Sequence, residues 1–392
     1  MATWIDYLIV FLRIVRFCVD YVVDLIFSLI YDRRPKAVIP PIDKPFLAYS
    51  GTKLAKLIRT KQLTSEEVTR AFAERCRQIN SILNAIVDER FDDAIQDAKK
   101  VDEFLATTDM SESELAASKP FLGVPFTSKE STEAEGMSFT FGIISRKIQD
   151  MKGAVDSNVV NLLKQRGGIL IAVTNVPELN LWCETRNNVF GQTVNCYDSR
   201  RTTGGSSGGE ATLLAACGSA IGIGTDVGGS TRMPAYYCGI YGHKPTADLI
   251  STKGLTFRAG NETTTMVAAG PMSRHAEDLV PFLDVLVGEN RSKLKLNDAD
   301  LLGDDGVLLF PSGPREAPYH YESFLRPYNF AYWGIFNALK IPATNVPMGF
   351  SKNGLPIGLQ VVAGPYNDHL CLAVARELEK EFGGWVPPFI SN

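Results

Sequence analysis

The sequence contains little of the side-chain chemistry that disulfide frameworks and metal sites require. Its seven cysteines among 392 residues are odd in number, scattered and never arranged as a CxxC pair, so we expect neither a disulfide framework nor a zinc site. The four histidines lack the spacing of metal ligands and lie far apart, at His243, His275, His320 and His369. We therefore expect any catalysis to proceed without a metal or another cofactor.

An excess of charge of one sign is also missing. Forty Lys and Arg against 44 Asp and Glu leave a net charge of -4, which argues against a nucleic-acid partner held by general electrostatic attraction. Hydrophobic residues make up 45% of the chain, which is enough for a large buried core and excludes a mostly disordered protein. The length allows one large α/β domain or two smaller ones.

The apolar stretch over residues 4–31 is interrupted by a few charges. Successive steps of the helical angle place all of them on one narrow stripe, which predicts a single helix with a polar seam. The charged residues are Asp6, Arg13, Arg16, Asp20 and Asp24. A secretory signal would need a positive start, an uncharged core and a small-residue cleavage site, and none of these is present.

This helix is long enough to span a membrane, but charges in mid-bilayer are costly unless paired, as Arg16 could be with Asp20. Spanning the bilayer and lying in its plane are therefore equal alternatives. Packing on the soluble body is less favoured because the apolar face is so wide. We predict a membrane-associated helix over residues 1–34, a proline-containing linker over 35–48 and a catalytic domain over 49–392.

Two signals bear on the side of the membrane where the body lies. Arg33, Arg34 and Lys36 follow the helix and favour a cytoplasmic body. Asn261 and Asn290 stand in sequences that could accept glycans if the body were lumenal.

Beyond the linker, the pattern predicts an α/β fold with a mixed central β-sheet covered by helices. Residues 50–106 are typical of helices, with Thr64 and Glu67 placed as a capping box before an amphipathic run. Short apolar runs predict strands, and an Asn-Gly pair at 353–354 favours a hairpin. The predicted strands are 122–127, 168–174, 220–225, 343–350 and 355–363.

A glycine- and serine-rich stretch over residues 204–232 is the most informative part of the chain. It lacks both the Gly-Lys-Ser/Thr ending of a phosphate loop and the third glycine of a dinucleotide fingerprint. Gly205 to Gly209 match G-x-S-x-G, which would make Ser207 the nucleophile of an α/β-hydrolase with one of the four histidines as base. That motif needs a strand directly before it, and the preceding residues are polar. Alternatively, the glycines serve close packing, with Ser207 and Glu210 as a capping box.

The order of the motifs resembles the amidase signature family. Residues 203–246 match its signature throughout, from GGSSGGE through GTDVGGSTRMPA to CGIYGHKPT. Upstream, GVPFTSKE at 123–130 is similar to the family's lysine segment, and residues 174–179 and 190–195 are similar to further family segments. Together with the apolar N-terminal helix, the pattern looks closest to the membrane-associated fatty-acid amide hydrolases of the type 2 branch.

The resemblance implies a serine hydrolase that cleaves carbon-nitrogen amide bonds through a Ser-Ser-Lys triad and an acyl-enzyme. Ser230 would be the acylated nucleophile, Ser206 the proton relay and Lys129 the base, which must be neutral and hence buried. The oxyanion hole would consist of the N–H groups of Val227, Gly228, Gly229 and Ser230. The resemblance also implies a cis peptide between Gly205 and Ser206. Supporting roles fall to Ser207, Asp226 and Arg232.

The expected substrate is a lipid amide, because an amidase domain beside a membrane helix suits an amide that itself partitions into lipid. Leu181 and Trp182 are candidates for the acyl path. The signature would also suit small amides, or the amidase subunit of a transfer-RNA amidotransferase, although that subunit is soluble and needs partner subunits.

The chain departs from the family between residues 270–274 and 303–311, where these enzymes usually carry a long stretch of helices and strands. We predict an internal deletion near residues 297–302, as in an alternatively spliced product. The loss would expose apolar surface and a strand edge, which favours instability or self-association as a homo-oligomer. All three triad positions survive, so the alternatives are an active amidase and a catalytically silent membrane-anchored product.

Overall fold

The computed structural model describes residues 4–255, 266–294 and 306–389. The predicted deletion at 297–302 and the Asn261 sequence lie outside the described residues. Within them the α-helices are α1 (Trp4–Tyr31), α2 (Gly51–Arg59), α3 (Ser65–Leu83), α4 (Phe91–Thr107), α5 (Glu112–Ser118), α6 (Ile144–Ile148), α7 (Asn158–Gln165), α8 (Gly208–Ala215), α9 (Arg232–Tyr237), α10 (Leu279–Val287), α11 (Ala331–Ala338) and α12 (Asp368–Phe382).

The strands of the described residues form a large mixed sheet flanked by helices, which confirms the predicted architecture. They are β1 (Ile86–Glu89), β2 (Pro125–Lys129), β3 (Ile169–Thr174), β4 (Arg186–Asn187), β5 (Gly191–Gln192), β6 (Ile221–Asp226), β7 (Tyr241–Lys244), β8 (Ala268–Ser273), β9 (Leu308–Pro311), β10 (Ala343–Phe350) and β11 (Pro356–Val362). The sheet runs β1-β3-β2-β6-β8-β7-β10-β11-β9, and β4 and β5 pair separately. Strand β2 is parallel to both β3 and β6, whereas the other pairs of the large sheet are antiparallel.

The strand predictions hold where apolar runs are long, and they shift where polar residues are buried. Strands β3, β6 and the β10–β11 hairpin lie within two residues of the predicted bounds. Strand β2 begins and ends later than predicted because Thr127, Ser128 and Lys129 continue it, and all three are buried. Strand β1 lies in the region predicted as helical; it is a four-residue edge strand paired with β3, too short for a periodic signal.

One predicted helix cap is present in part, and the other is wrong. Thr64 accepts the N–H of Glu67 at 3.0 Å, as an N-cap should. Ser207 precedes α8 but makes no side-chain cap bond. Glu210, the predicted partner of Ser207, instead accepts the hydroxyls of Thr127 and Thr174 inside the sheet.

Helix α1 contacts the body through its acidic residues near the carboxyl end. Nearly buried Arg326 donates from Nε to Oδ1 of Asp20 at 2.7 Å and from Nη2 to Oδ1 of Asp24 at 2.8 Å. Tyr31 stacks on Tyr319 with ring centroids 5.4 Å apart. In the predicted linker that follows, Ile39 and Leu47 are buried in the core, whereas residues 35–38 are exposed.

Most apolar side chains of α1 face outward, with Trp4 and Phe17 exposed to 73% and 72%. Across the described part of the chain, nevertheless, a search for a helix both long and apolar enough to cross a bilayer finds none, and this includes α1. The spanning alternative predicted from the sequence is therefore not supported.

Strand β9 closes one edge of the large sheet and directly follows the residues at which the sequence predicts a deletion. Leu308 and Leu309 on this strand are about half exposed, at 53% and 52%. An exposed apolar edge strand is what the loss of covering elements would leave.

Candidate active site

The site lies where two parallel strands end. Because β2 and β6 are parallel neighbours with Ser128 opposite Ile223, their carboxyl ends reach the same edge of the sheet. Strand β2 ends at Lys129, and β6 ends at Asp226, directly before the loop over residues 227–231. The topology thus brings the predicted base to the edge where the predicted nucleophile loop begins.

Lys129 is fully buried and hydrogen-bonded to a serine. Its Nζ lies 2.8 Å from Oγ of Ser206, which is also buried. Burial lowers the pKa of Lys129 to about 7, against the opposing attraction of Asp226 and Glu210. A lysine with this pKa is neutral in a large fraction of molecules near neutral pH and can accept a proton.

Ser206 is held by a tightly packed turn. The Gly205–Ser206 peptide is cis, as the resemblance implied. A Cβ at Gly205 would lie 2.3 Å from the carbonyl oxygen of Trp182, so only glycine fits. The next residue, Ser207, donates its N–H to the carbonyl of Ser230 at 3.1 Å, which joins the serine turn to the nucleophile loop.

The Asp226 carboxylate organises the loop that carries Ser230. Its Oδ1 accepts the N–H of Gly229 at 2.6 Å, and its Oδ2 accepts the N–H of Thr231 at 3.1 Å. These bonds fix the residues on both sides of Ser230, which is partly exposed. Burial raises the pKa of Asp226, but the charge and hydrogen bonds of Arg232 outweigh it and hold that pKa well below the usual value.

Arg232 connects this carboxylate to the carboxyl-terminal part of the chain. It donates to both oxygens of Asp226 at 3.1 Å and to Oε1 of Gln360 at 2.7 Å. Its Nη2 also reaches the carbonyl of Trp333 at 3.1 Å and Oδ1 of Asn337 at 2.6 Å. No residue pattern pointed to Asn337, because a single Asn in a helix is common.

The predicted oxyanion hole is modified by these bonds. The N–H of Gly229 is used by Asp226, whereas no acceptor among the described residues is recorded for the N–H groups of Val227, Gly228 and Ser230. Gly229 has a φ of +118° in the left-handed region, and a Cβ there would lie 2.3 Å from Cβ of Trp333. Three of the four predicted donors are thus left for a ligand.

Ser207 is placed differently from the α/β-hydrolase alternative. Its Oγ lies 3.3 Å from the N–H and 3.4 Å from the carbonyl of Thr225, and the residue is fully buried. The recorded partners of three histidines lie elsewhere: Thr344 and Asp368 for His243, Ala48 for His275, and Ser199 for His320. His369 lies in the first turn of α12. A Ser207–His pair is therefore not supported.

Glu210 is a site neighbour for which the sequence predicted another role. It is fully buried beneath the serine turn and bonds Oγ1 of Thr174 at 2.7 Å. Burial raises the pKa of Glu210 to about 7, against the effect of Thr127, Thr174 and Lys129. Gly222 on β6 leaves room for the Glu210 carboxyl group, since a Cβ at Gly222 would collide with it. This contact between a helix and a strand has no local pattern in the sequence.

Leu181 and Trp182 lie on the outer side of the serine turn. They line an open cleft of about 540 Å³ together with Arg186, Tyr321 and Phe324. The Trp182 and Phe324 rings lie 5.8 Å apart, and Leu181 is 65% exposed. The backbone of Trp182 touches Gly205, so this cleft adjoins the serine turn.

Within the described residues, three or more His, Cys, Asp or Glu side chains nowhere cluster closely enough to hold a metal ion.

Comparison with known proteins identifies similar sequences over most of the chain. A family model described as Amidase matches residues 67–306 and 304–372. The chain is 33% identical to fatty-acid amide hydrolase 2 of Homo sapiens over 489 aligned positions, covering 89% of this chain and 92% of that protein. It is 32% identical to fatty-acid amide hydrolase 2-A of Danio rerio, with coverage of 89% and 92%.

Solved structures share the fold. A fatty acid amide hydrolase superposes with a TM-score of 0.74 at 19% identity, covering 89% of this chain and 87% of that chain. A 6-aminohexanoate cyclic dimer hydrolase complexed with substrate gives a TM-score of 0.73 at 20% identity, with coverage of 86% and 97%.

Proposed function

Since the chain belongs to the amidase family of amide hydrolases, we propose that it cleaves fatty-acid amides through Ser230, Ser206 and Lys129. The observation that carries this proposal is the buried Lys129 amine, which lies 2.8 Å from Oγ of Ser206. Lys129 stands at the carboxyl end of β2, beside the carboxyl end of β6 where the Ser230 loop begins. An exposed lysine would be charged and could not act as a base.

In the first half of the reaction, neutral Lys129 accepts a proton from Ser206 while Ser206 accepts one from Ser230. The Ser230 oxygen forms a bond to the amide carbon, and the resulting oxyanion is stabilised by the N–H groups of Val227, Gly228 and Ser230. As the carbon-nitrogen bond breaks, the leaving nitrogen takes its proton from Ser206, which is resupplied by Lys129.

The second half reverses these roles. Water attacks the Ser230 acyl-enzyme and gives its proton to the same relay. The bond between carbon and Ser230 then breaks, Ser230 regains a proton and the carboxylic acid leaves. No group outside the chain is needed for the proton transfers.

A lipid amide is supported by three features. The similar proteins bear the name fatty-acid amide hydrolase 2. Leu181, Trp182 and Phe324 contribute apolar side chains to the cleft beside the serine turn, whose other lining residues include Arg186 and Gln192. Helix α1 presents exposed apolar side chains that suit a lipid surface.

We propose that α1 lies in the plane of a membrane. Asp20 and Asp24 bond Arg326 of the body, so the carboxyl-terminal part of the polar seam faces the protein and the apolar face is left outward. This is the arrangement expected of an interfacial helix. Arg33, Arg34 and Lys36 at its end suit an anionic leaflet and hence a cytoplasmic body.

A second candidate is a catalytically silent, membrane-anchored product. The 489 positions aligned with the human relative exceed the 392 residues of this chain, so the relative has residues without a counterpart here. The family model matches in two pieces that meet at residues 304–306. Both findings support an internal deletion, and the exposed edge of β9 supports self-association.

The test is labelling by a fluorophosphonate probe, which reacts with an activated serine. We expect the purified chain to be labelled at Ser230 and Ser230→Ala to remain unlabelled. The control is Ser219→Ala, because Ser219 is a buried serine whose hydroxyl bonds the carbonyl of Ile221. Unchanged labelling of Ser230→Ala would refute the assignment. If the folded chain is unlabelled while a version with the missing segment restored reacts, the silent product is supported.

A further inference from the structure

We infer that Asn337 of α11 is a positioning residue that fixes the nucleophile loop through Asp226; this inference rests on the proposed role of Ser230. Asn337 is almost fully buried, and its side chain lies between the two members of the Asp226–Arg232 ion pair. Nδ2 donates to Oδ1 of Asp226 at 2.9 Å, and Oδ1 accepts from Nη2 of Arg232 at 2.6 Å.

The argument begins with the two oxygens of Asp226. Oδ1 accepts the backbone N–H of Gly229, which precedes Ser230, and Oδ2 accepts the backbone N–H of Thr231, which follows it. The orientation of this carboxylate therefore decides where Ser230 and its N–H group lie. The two-point contact with Arg232 restrains this carboxylate within one segment, and a further donor on Oδ1 from α11 ties its orientation to the carboxyl-terminal part of the fold.

Asn337 supplies this further donor and a second attachment. Its Nδ2 also lies 3.3 Å from the carbonyl of Asp226, so one amide group holds both the side chain and the backbone at the end of β6. Because Asn337 is neutral, it restrains the ion pair without adding a charge that would alter the neighbouring Lys129. An aspartate at this position would place a second carboxylate against Asp226.

The rest of α11 supports the same loop. A Cβ at Gly228 would lie 2.1 Å from Cζ of Phe330, and one at Gly229 would lie 2.3 Å from Cβ of Trp333. The backbone of the nucleophile loop is therefore packed directly on Trp333 of α11 and on Phe330, which precedes that helix. A segment that follows the predicted deletion thus holds a loop that precedes it, which is consistent with a preserved site in a shortened chain.

The test compares Asn337→Leu and Asn337→Asp with a control of the same residue type. Leucine removes every polar contact at similar volume. Aspartate keeps the oxygen facing Arg232 but loses the donor to Asp226. The control is Asn345→Leu: Asn345 is equally buried and bonds Ile240 and Ser312 away from the loop, so its loss affects stability alone.

For both Asn337 variants we expect kcat for an acyl amide to fall about 10²-fold with KM nearly unchanged, since a misplaced nucleophile affects chemistry more than binding. We expect Asn345→Leu to keep its kcat per folded molecule. Asn337→Asp with wild-type kcat would overturn the inference, because the lost donor is then not needed.

Hydrogen exchange separates this inference from the proposed function. In the folded Asn337 variants, the peptide covering residues 226–232 should exchange about tenfold faster than in the wild type and in Asn345→Leu. Equal exchange would overturn the positioning role whether or not the chain is active. A wild type that no fluorophosphonate labels would refute the proposed function, while exchange would still decide the role of Asn337.

Discussion

Lys129 at the carboxyl end of β2 is fully buried, whereas Phe17 on α1 is 72% exposed. In most proteins lysine side chains are exposed and phenylalanine side chains are buried. The two regions depart from the usual distribution in opposite directions. Around Lys129 the charged side chains are bonded to polar partners, as in the pairs Lys129–Ser206 and Asp226–Arg232, whereas the buried hydroxyls of Ser128 and Thr231 have no partner among the described residues. On α1 the exposed apolar groups lack such compensation within the described part of the fold.

This difference indicates two kinds of function. A buried and bonded polar cluster costs stability but fixes the protonation states that chemistry needs. An exposed apolar face gains stability only when something else covers it. The charged groups of the first region find their partners within the chain, and the second fits the lipid surface that we propose outside it.

The largest effect is expected from Lys129→Met, which keeps the volume and removes the base. Labelling of Ser230 and amide turnover should fall about 10²–10⁴-fold, the contribution of a general base. The matched control is Lys244→Met, because Lys244 is equally buried, with a pKa lowered to about 8 by burial, but donates to the carbonyl of Pro245. Equal losses in both variants would mean that burial of a lysine, not its contact with Ser206, matters.

A pH series sharpens the same contrast. Because the pKa of Lys129 is about 7, kcat/KM should rise tenfold per pH unit below 7 and level off above it. The folded-state pKa lies below the ordinary 10.5, so the amine destabilises the fold most below pH 7, and this cost disappears as the pH approaches 10.5. Lys129→Met should therefore gain most in Tm at low pH, and a gain independent of pH would contradict the buried neutral amine.

For α1 we expect a loss of membrane binding without a loss of chemistry. Replacing Trp4, Phe11 and Phe17 by serine should lower the partition coefficient onto sedimented phospholipid vesicles about 10³-fold or more, since each buried aromatic contributes about 1.5–3 kcal/mol and about 1.4 kcal/mol corresponds to a factor of ten. Fluorophosphonate labelling should stay within about twofold. The control replaces exposed apolar residues outside α1, Val38 of the linker and Ile148 and Val155 of the body, by serine. Equal vesicle binding of both triple variants would refute the interfacial helix.

The smallest effect is expected from Ser207→Ala. Its hydroxyl bonds only the backbone of Thr225 among the described residues, so we expect a loss of about 1 kcal/mol in stability and little change in labelling. Circular dichroism melting and the probe assay measure the two quantities. Abolished labelling here, with Lys129→Met tolerated, would restore the α/β-hydrolase alternative.

Local patterns predicted those parts of the fold that depend on local chemistry. The apolar run of β3, the Asn-Gly turn between β10 and β11, and the Thr64 cap each follow from neighbouring residues. Strand β1 and the place of Glu210 could not be predicted in this way. Both depend on partners distant in the sequence, β3 for the strand and Thr127 and Thr174 for the carboxyl group.

The residue types of the site follow from the order of the amino acids, because Lys129, Ser206 and Ser230 stand in ordered motifs, and so does the charge stripe of α1, because helical periodicity places those residues on one face. The folded chain adds that Gly229 gives its N–H to Asp226, that Asn337 bonds both Asp226 and Arg232, and that Asp20 and Asp24 of the stripe face Arg326. These contacts join residues separated by up to hundreds of positions, and hydrogen bonds depend on positions in space that sequence order does not specify.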